Sequence, residues 1–195
     1  HVRYVVVFQN WLKPAGASID HLHKQVVAID EVGADNESVL PKAVLDPGIF
    51  NRWGPDFAVE HGLVLACNDG AVMTVGFGHR YPSVEVWSTS RVDQPWRVDD
   101  EGIDAVSDLL HAAHVAVSDD VPANEEWHYR PMGTGVPVPW RIILKLRTST
   151  LAGFEGGTKI YVNTISPTTL AAMLLPKLFE ARAAGRIAAM NLGDE

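Results

Sequence analysis

Cysteine is almost absent from this chain: Cys67 stands alone among 195 residues, so no disulfide can form within the chain. Long apolar runs are also missing. No stretch approaches the roughly 20 residues that a membrane-spanning helix needs, and the apolar run at the start is too short for a signal peptide. We therefore expect a cytoplasmic protein with no membrane partner.

Basic residues are outnumbered, with 16 Lys and Arg against 24 Asp and Glu and a net charge of −8. A general nucleic-acid binder would show a basic face, so we expect no nucleic-acid partner. A nucleotide pocket stays compatible with this charge because a few groups suffice to bind a nucleotide. The chain has no phosphate-binding glycine loop with Lys and Ser or Thr, and no Gly-x-Gly-x-x-Gly segment opens a helix.

The hydrophobic pattern predicts an α+β protein with strands at 3–9, 18–28, 62–67, 71–77, 83–88, 138–147 and 158–163. Asn68-Asp69-Gly70 is typical of a hairpin turn. Residues 29–57 are rich in Asp, Pro and Gly, which predicts a connector with at most short helices.

Two helices have recognisable starts. Asp99 or Asp100 should cap the first, whose apolar residues recur at helical spacing. These residues are Ile103, Val106, Leu110, Ala113 and Val117. Ser166 followed by Pro167 predicts the start of the last helix, which Pro176 should kink or split.

A polar row interrupts the apolar run near the start, with His21, His23 and Gln25 at every second position. In an extended strand these three side chains point to one face. A buried polar row needs partners or a function. One interpretation is an inert, hydrogen-bonded histidine pair near a sheet edge. The other is catalysis, because a neutral imidazole can attack phosphorus while an amide holds the phosphoryl oxygens.

The spacing of Asn10, Gly16, Ser18 and His21-Leu22-His23-Lys24-Gln25 resembles that of the histidine-triad superfamily, in its galactose-1-phosphate uridylyltransferase branch. Family members often have Pro between the histidines and Ser or Gly after the second. Leu22 and Lys24 depart from that pattern, but we expect both on the opposite face of the strand. Weaker similarities lie at Arg80-Tyr81-Pro82 with Glu85-Val86-Trp87, and at Asn124, Trp127-His128 and Pro131.

The resemblance implies a nucleotidyltransferase that passes a nucleoside monophosphate between sugar phosphates, with a place in galactose metabolism. His23 would be the nucleophile, oriented by His21 or a backbone carbonyl. Gln25 and Ser18 would donate to the phosphate oxygens. Asn10 would hold the loop or the ribose, and Gly16 would let backbone approach the phosphate. The expected partner is a nucleoside diphosphate sugar or a sugar phosphate.

A carboxy-terminal segment also resembles the family, from Ala152-Gly153-Phe154-Glu155 to Asn163. The resemblance implies that Phe154 and Glu155 contact the sugar from a neighbouring subunit, which implies a homodimer. The alternative for 153–157 is a plain turn before a strand.

The resemblance further implies a duplicated architecture, an antiparallel HIT-like sheet with helices packed on it. Residues 1–28 would close an incomplete first repeat, 29–57 would connect, and 58–195 would form the second repeat. The strand at Tyr4–Phe8 begins abruptly, so we expect this chain to be the carboxy-terminal part of a longer protein. We expect no cofactor in it; a zinc site belongs to the amino-terminal part of many members.

The second repeat departs from the family where many members have His-x-His and this chain has Pro139-Trp140-Arg141. With His128 alone remaining, we expect no metal there, since zinc or iron needs three or four ligands. Arg141 would replace the positive charge of the metal or be solvated. His111 and His114 are expected to be an exposed helical pair.

Two other functions stay open. One is a dinucleoside-polyphosphate phosphorylase or hydrolase that uses the same His23. The other is a non-catalytic domain that binds a nucleotide or a protein, which the loss of the second histidine pair favours.

Overall fold

The computed structural model describes residues 1–19 and 21–193 of the chain. In this part, eight strands form one sheet in the order β2-β1-β6-β7-β5-β4-β3-β8. Each neighbouring pair is antiparallel. The strands are β1 (Tyr4–Trp11), β2 (Lys24–Ile29), β3 (Val64–Cys67), β4 (Ala71–Val75), β5 (Ser83–Ser88), β6 (Ala123–His128), β7 (Arg141–Leu146) and β8 (Asn191–Leu192).

Six α-helices accompany the sheet in the described residues: α1 (Ala34–Leu45), α2 (Ile49–Arg52), α3 (Pro55–Glu60), α4 (Asp100–Val117), α5 (Gly153–Thr158) and α6 (Pro167–Ala183). Two short 3-10 turns lie at Lys13–Ala15 and Pro95–Arg97. None of the helices in the described residues is long and apolar enough to cross a membrane.

The local signals for turns and helix starts are confirmed. Asn68 closes the β3–β4 turn, because its Oδ1 accepts hydrogen bonds from the backbone N–H groups of Gly70 and Ala71. Asp99 is the cap of α4, with Oδ1 3.0 Å from the N–H of Gly102. Ser166 caps α6 in the same way, with Oγ 3.2 Å from the N–H of Thr169.

One face of the sheet is covered by α4 and α6 and forms the main core; we call it the helix face. The predicted apolar stripe of α4 is confirmed, since Val106, Ala113 and Val117 are buried in this core with Ile103 and Leu110 packed against it. Trp140 and Leu144 are also buried there. Burial of this apolar area is the main contribution to the stability of the fold.

The other face carries most of the polar residues of the central strands; we call it the polar face. Directly paired residues of an antiparallel ladder lie on the same side, so the register assigns residues to this face. Phe8 pairs with Gln25 and Glu126, Asn10 with Asn124, and His128 with Arg141. A small apolar cluster packs α1 and α2 against this face; it consists of Ala43, Phe50, Trp87 and Val138.

Three predicted elements are wrong. The strand expected at 18–28 begins only at Lys24, and Asp20 lies outside the described residues. The strand expected at 158–163 is absent: α5 ends at Thr158, and the residues after it are irregular, with Ile160 and Val162 exposed. The connector at 29–57 holds α1, which has 12 residues and continues through Pro41.

Pro176 lies inside α6, which runs unbroken from Pro167 to Ala183, so the predicted split of this helix is wrong. The strands of residues 1–28 lie at one edge of the single sheet, beside the strands of the later part. The division into repeats at 1–28, 29–57 and 58–195 stays a prediction, and its last two residues lie outside the described part.

Candidate functional site

The segment with the two histidines leads into the first residue of the edge strand β2. His21 is exposed and His23 is half-buried, and neither belongs to the strand, which corrects the prediction of one extended polar row. The ladder between β1 and β2 ends with Gln9 opposite Lys24. Continuing its register by one residue would set His23 opposite Asn10 on the polar face.

The ring of His23 is held by its own backbone. Its Nδ1 lies 2.7 Å from the backbone carbonyl oxygen of His21. A carbonyl oxygen can only accept, so in the neutral ring Nδ1 carries the proton and Nε2 keeps its lone pair. This is the tautomer that a nucleophilic Nε2 requires.

The loop before the histidines turns at Gly16, which adopts a left-handed conformation with φ +89°. Glycine adopts this conformation without the strain that a Cβ would bring. A Cβ at this position would meet no atom within 4 Å, so the backbone there is open to solvent. Ser18 is exposed, and its hydroxyl makes no hydrogen bond to the described residues.

Asn10 has its side-chain amide oriented by a second asparagine. Its Oδ1 accepts a hydrogen bond of 2.7 Å from Asn124, whose Nδ2 also lies 2.7 Å from the carbonyl oxygen of Ala15. Arg147 donates to Asn124 Oδ1 at 2.9 Å. The Nδ2 of Asn10 makes no hydrogen bond to the described residues and is left as a donor.

A cavity of about 440 Å³ opens on the polar face beside Asn10, between β1, β6 and the start of α1. Its walls include Tyr4, Val6 and Phe8 on one side and Asn124 and His128 on another. A volume of this size suits a small-molecule ligand. Neither His21, His23 nor Gln25 lines it; Gln25 is half-buried in β2 and makes no side-chain hydrogen bond to the described residues.

Lys24 lies on the helix face, opposite to the face of Gln25, as predicted. There it contacts a buried acid. Its Nζ forms an ion pair with Glu125, which is 1% exposed. His114 Nε2 lies 3.0 Å from the other oxygen of Glu125, and Trp127 Nε1 donates at 2.7 Å. Burial raises the pKa of Glu125, but hydrogen bonds from His114, Lys24 and Trp127 outweigh it and hold the pKa at about 2.

This network corrects one prediction about α4. His111 is exposed as expected, but His114 is half-buried against Glu125, so the two histidines are not an exposed pair. This contact could not be predicted from helical spacing, because Glu125 lies 11 residues from His114 and on a strand rather than on the same helix.

A second charged network crosses the polar face. Lys145 Nζ donates to Glu126 at 2.6 Å, and His128 Nε2 lies 3.5 Å from the same oxygen. Burial raises the pKa of Glu126, but the nearby ring of His128 and the charge and hydrogen bond of Lys145 hold the pKa at about 2. Burial also lowers the pKa of His128, which keeps its ring neutral.

Phe154 and Glu155 lie in α5, so the plain turn before a strand is wrong, and their contact with a sugar stays a prediction. Phe154 is 54% exposed. Glu155 accepts a hydrogen bond of 3.0 Å from the backbone N–H of Ala152, which closes the start of the helix. Hydrogen bonds from backbone N–H groups lower the pKa of Glu155, so it is ionised at neutral pH.

The resemblance implies that some family members bind a metal at the position of His128. No group of three His, Cys, Asp or Glu side chains with suitable geometry occurs in residues 1–19 and 21–193. Arg141, directly opposite His128 in the ladder, is a cation and opposes a metal ion at this place. These residues do not fit a metal, and the absence of one in the protein stays a prediction.

We predict that Asn124→Ala destabilises the protein by about 1–3 kcal/mol, because it leaves Arg147 and the carbonyl of Ala15 without their partner. Urea denaturation at neutral pH measures the change in the free energy of unfolding. Asn51→Ala is the matched control: Asn51 is exposed, and its replacement should cost less than about 0.5 kcal/mol. Equal effects of the two substitutions would contradict the prediction.

The antiparallel sheet with helices packed on it is the α+β architecture that the resemblance implies. A family model described as domain of unknown function (DUF4921) matches residues 1–195, and the chain belongs to this family. No curated protein matches the chain.

Solved structures confirm the predicted fold. An ADP-glucose phosphorylase from Arabidopsis thaliana, with bound ADP-glucose, is 23% identical with a TM-score of 0.75; the match covers 89% of this chain and 58% of that one. A GalT-like protein from Arabidopsis thaliana is 22% identical with a TM-score of 0.74; the match covers 89% of this chain and 60% of that one. A uridylyltransferase mutant is 18% identical with a TM-score of 0.76; the match covers 92% of this chain and 64% of that one.

The chain therefore spans 58–64% of the length of these three structures. A likeness at 18–23% identity establishes the fold alone. The reaction has to be argued from the residues of this chain.

Proposed function

We propose that this chain is the part of a nucleotidyltransferase that carries the nucleophile, and that His23 becomes covalently nucleotidylated during the reaction. The observation that carries the proposal is the 2.7 Å contact between His23 Nδ1 and the carbonyl oxygen of His21. In the neutral ring that contact leaves Nε2 with its lone pair, on a half-buried side chain. Continuing the β1–β2 register by one residue would place this ring opposite the amide donor of Asn10.

The reaction has two displacements at the same phosphorus. In the first, Nε2 of His23 attacks the α-phosphorus of a nucleoside diphosphate sugar; a P–N bond forms, the bridging P–O bond breaks, and the sugar 1-phosphate leaves with the electron pair. In the second, a phosphate oxygen of an acceptor attacks the same phosphorus and the P–N bond breaks. His23 needs no proton exchange in either step, since Nδ1–H stays on the His21 carbonyl.

The neighbouring donors would stabilise the charge on the phosphoryl oxygens. Asn10 offers its free Nδ2–H groups, and Gln25 lies on the same face of the ladder. Ser18 is exposed and would need loop movement to reach the phosphate. Gly16 would let the loop backbone approach the substrate without a side chain between them. Donors that meet developing charge are a large contribution to catalysis.

The nucleoside would occupy the 440 Å³ cavity beside Asn10. The apolar walls of this cavity suit a base and a ribose. One of the similar structures is an ADP-glucose phosphorylase with bound ADP-glucose, which supports a nucleotide-sugar substrate. Another is a uridylyltransferase, which supports transfer of a nucleotidyl group. We propose the class, a nucleoside diphosphate sugar, and leave the base open.

A second subunit would complete the sugar side of the site. Phe154 exposes an aromatic ring and Glu155 is an ionised carboxylate in the same helix, the combination that sugar recognition uses. Their place on an exposed helix fits a contact that reaches a neighbouring copy, so we propose a homodimer with the sugar held across it.

The test is covalent labelling of the intact protein with nucleotide substrates that carry ³²P at the α-phosphorus. UDP-glucose and ADP-glucose should give an adduct that is labile in acid and stable in base, as a phosphoramidate is. Label from a dinucleoside polyphosphate alone would favour the phosphorylase or hydrolase. Saturable nucleotide binding without label would favour the non-catalytic binding domain, and either result would contradict the proposal.

A further inference from the structure

A second cavity, of about 160 Å³, lies on the polar face between α1, α2 and β7. Polar and charged side chains line much of it, and it shares Asp35, Asn36 and His128 with the larger cavity beside Asn10. Arg141 and Lys145 enter it from β7, and His79 enters from the loop before β5. The proposed transfer reaction makes no use of this cavity.

Arg141 is a cation without a carboxylate partner in this cavity. No carboxylate oxygen of the described residues lies within 4 Å of its guanidinium, and its Nε makes no hydrogen bond and is hidden from solvent. The guanidinium carbon lies 4.8 Å from the ring centroid of Trp87 and 5.3 Å from that of Phe50. Ring faces attract a cation but do not accept its hydrogen bonds. Arg141 is half-buried, and the expectation that it replaces the charge of a metal or is solvated stays a prediction.

The neighbouring acids accept hydrogen bonds from other side chains. Glu85 is hydrogen-bonded to His79, and Glu126 accepts the hydrogen bond of Lys145 at 2.6 Å. Glu85 and Asp35 attract Arg141 through their charges at longer range, but neither accepts a hydrogen bond from it. A half-buried guanidinium without a hydrogen-bond acceptor is costly.

A second residue that lines the cavity also has a nitrogen without a hydrogen bond. His128 Nε2 makes no hydrogen bond and is hidden from solvent, at 3.5 Å from Glu126. Its ring is neutral, because burial lowers its pKa, and a neutral ring can carry its proton on Nε2. Residues of two strands, β6 and β7, thus line one cavity and have unsatisfied nitrogen atoms.

We infer that this cavity binds one inorganic phosphate ion, held by Arg141 with His128, Lys145 and Asn36 around it. A water molecule occupies roughly 30 Å³, so a cavity of about 160 Å³ has room for a phosphate and some water. A guanidinium is the side chain best suited to two parallel hydrogen bonds with a phosphate. The inference stands on Arg141 and does not depend on His23 being a nucleophile.

The test measures the melting temperature of the protein as inorganic phosphate is raised from 0 to about 20 mM against NaCl of equal ionic strength. Ligand that binds only the folded state stabilises it in proportion to occupancy. We expect a saturating rise of about 2–4 °C for the wild type and none for Arg141→Met. Arg91→Met, which removes an exposed arginine elsewhere, should keep the rise.

Three outcomes would overturn the inference: no phosphate-specific rise in the wild type, an equal rise in folded Arg141→Met, or a rise with glucose 1-phosphate but not with phosphate. If Arg141→Met does not fold, wild-type crystals soaked with tungstate decide instead. An anomalous peak beside Arg141 supports the inference, and its absence there overturns it. Loss of nucleotidyl labelling bears on His23 and leaves this test unaffected.

Discussion

His23→Ala is expected to reduce nucleotidyl transfer by at least about a thousandfold, because the substitution removes the attacking nitrogen while leaving the cavity beside Asn10 intact. Substrate binding should change by less than about fivefold, since His23 does not line that cavity. The measurements are the single-turnover rate of transfer from UDP-glucose or ADP-glucose and the binding constant from calorimetry. A loss of binding with an unchanged rate would contradict the proposed role.

His21→Ala is the matched control for this prediction. His21 is exposed and contributes its backbone carbonyl to the ring of His23, and alanine keeps that carbonyl. The rate of transfer should therefore stay within about tenfold of the wild type. A loss in His21→Ala as large as in His23→Ala would assign the His21 side chain a direct role and would contradict the backbone interpretation.

Glu125→Gln is expected to destabilise the protein by about 3 kcal/mol at neutral pH. Glutamine loses the charge and one of the two acceptor oxygens, so Lys24 and His114 can no longer both be paired at a side chain that is 1% exposed. Breaking a buried ion pair from one side costs about 3–5 kcal/mol, and the partial exposure of Lys24 places the effect at the low end. Urea denaturation measures the free energy of unfolding of each variant.

The effect of Glu125→Gln should depend on pH in a defined direction. The pKa of Glu125 is about 2 in the folded protein and near 4.5 in an ordinary carboxyl. A carboxyl with a lowered folded pKa stabilises the fold above its unfolded pKa and loses that contribution as pH falls through the folded value. The difference between wild type and Glu125→Gln should be largest at pH 7, shrink below about pH 4.5 and vanish near pH 2.

Glu126→Gln is the control at the next residue. Glu126 has the same pKa of about 2, but its side chain is 33% exposed, so water can replace the lost interaction with Lys145. We expect a cost of about 1 kcal/mol for Glu126→Gln. Two results would contradict this account of burial. One is a larger loss of unfolding free energy for Glu126→Gln than for Glu125→Gln. The other is a stability difference between wild type and Glu125→Gln that grows toward low pH.

Elements whose signals lie within a few residues could be predicted from the sequence. The cap of α4 at Asp99, the cap of α6 at Ser166 and the turn at Asn68 each rest on a side chain that bonds a backbone group two or three residues away. Such contacts need no distant partner.

Elements that depend on distant partners could not be read in this way. The strand β6 contains Asn124, Glu125 and Glu126, residues disfavoured in strands. Both acids have cationic partners on other strands: Lys24 on β2, two strands away, and Lys145 on the neighbouring β7. Residues 158–163 show the opposite case: their apolar residues read as a strand, but no strand of the described residues pairs with them.

The candidate site was predicted in part. Asn10 and His23 were identified from spacing that resembles the family, and their roles stay predictions. The Asn124–Arg147 support of Asn10 could not be predicted from that spacing, because these residues come from β6 and the end of β7. Arg141 departs from the family pattern in the sequence, but its lack of a carboxylate partner can be seen only in the folded sheet.

Peptide mapping of the intact protein after quenching with base during turnover of a nucleotide sugar tests the central claim most directly. The account predicts a nucleoside monophosphate on the peptide that contains His21 and His23, located at His23 by fragmentation and absent from His23→Ala. A nucleotidyl group on any other residue, or full turnover with every peptide unmodified, would contradict it.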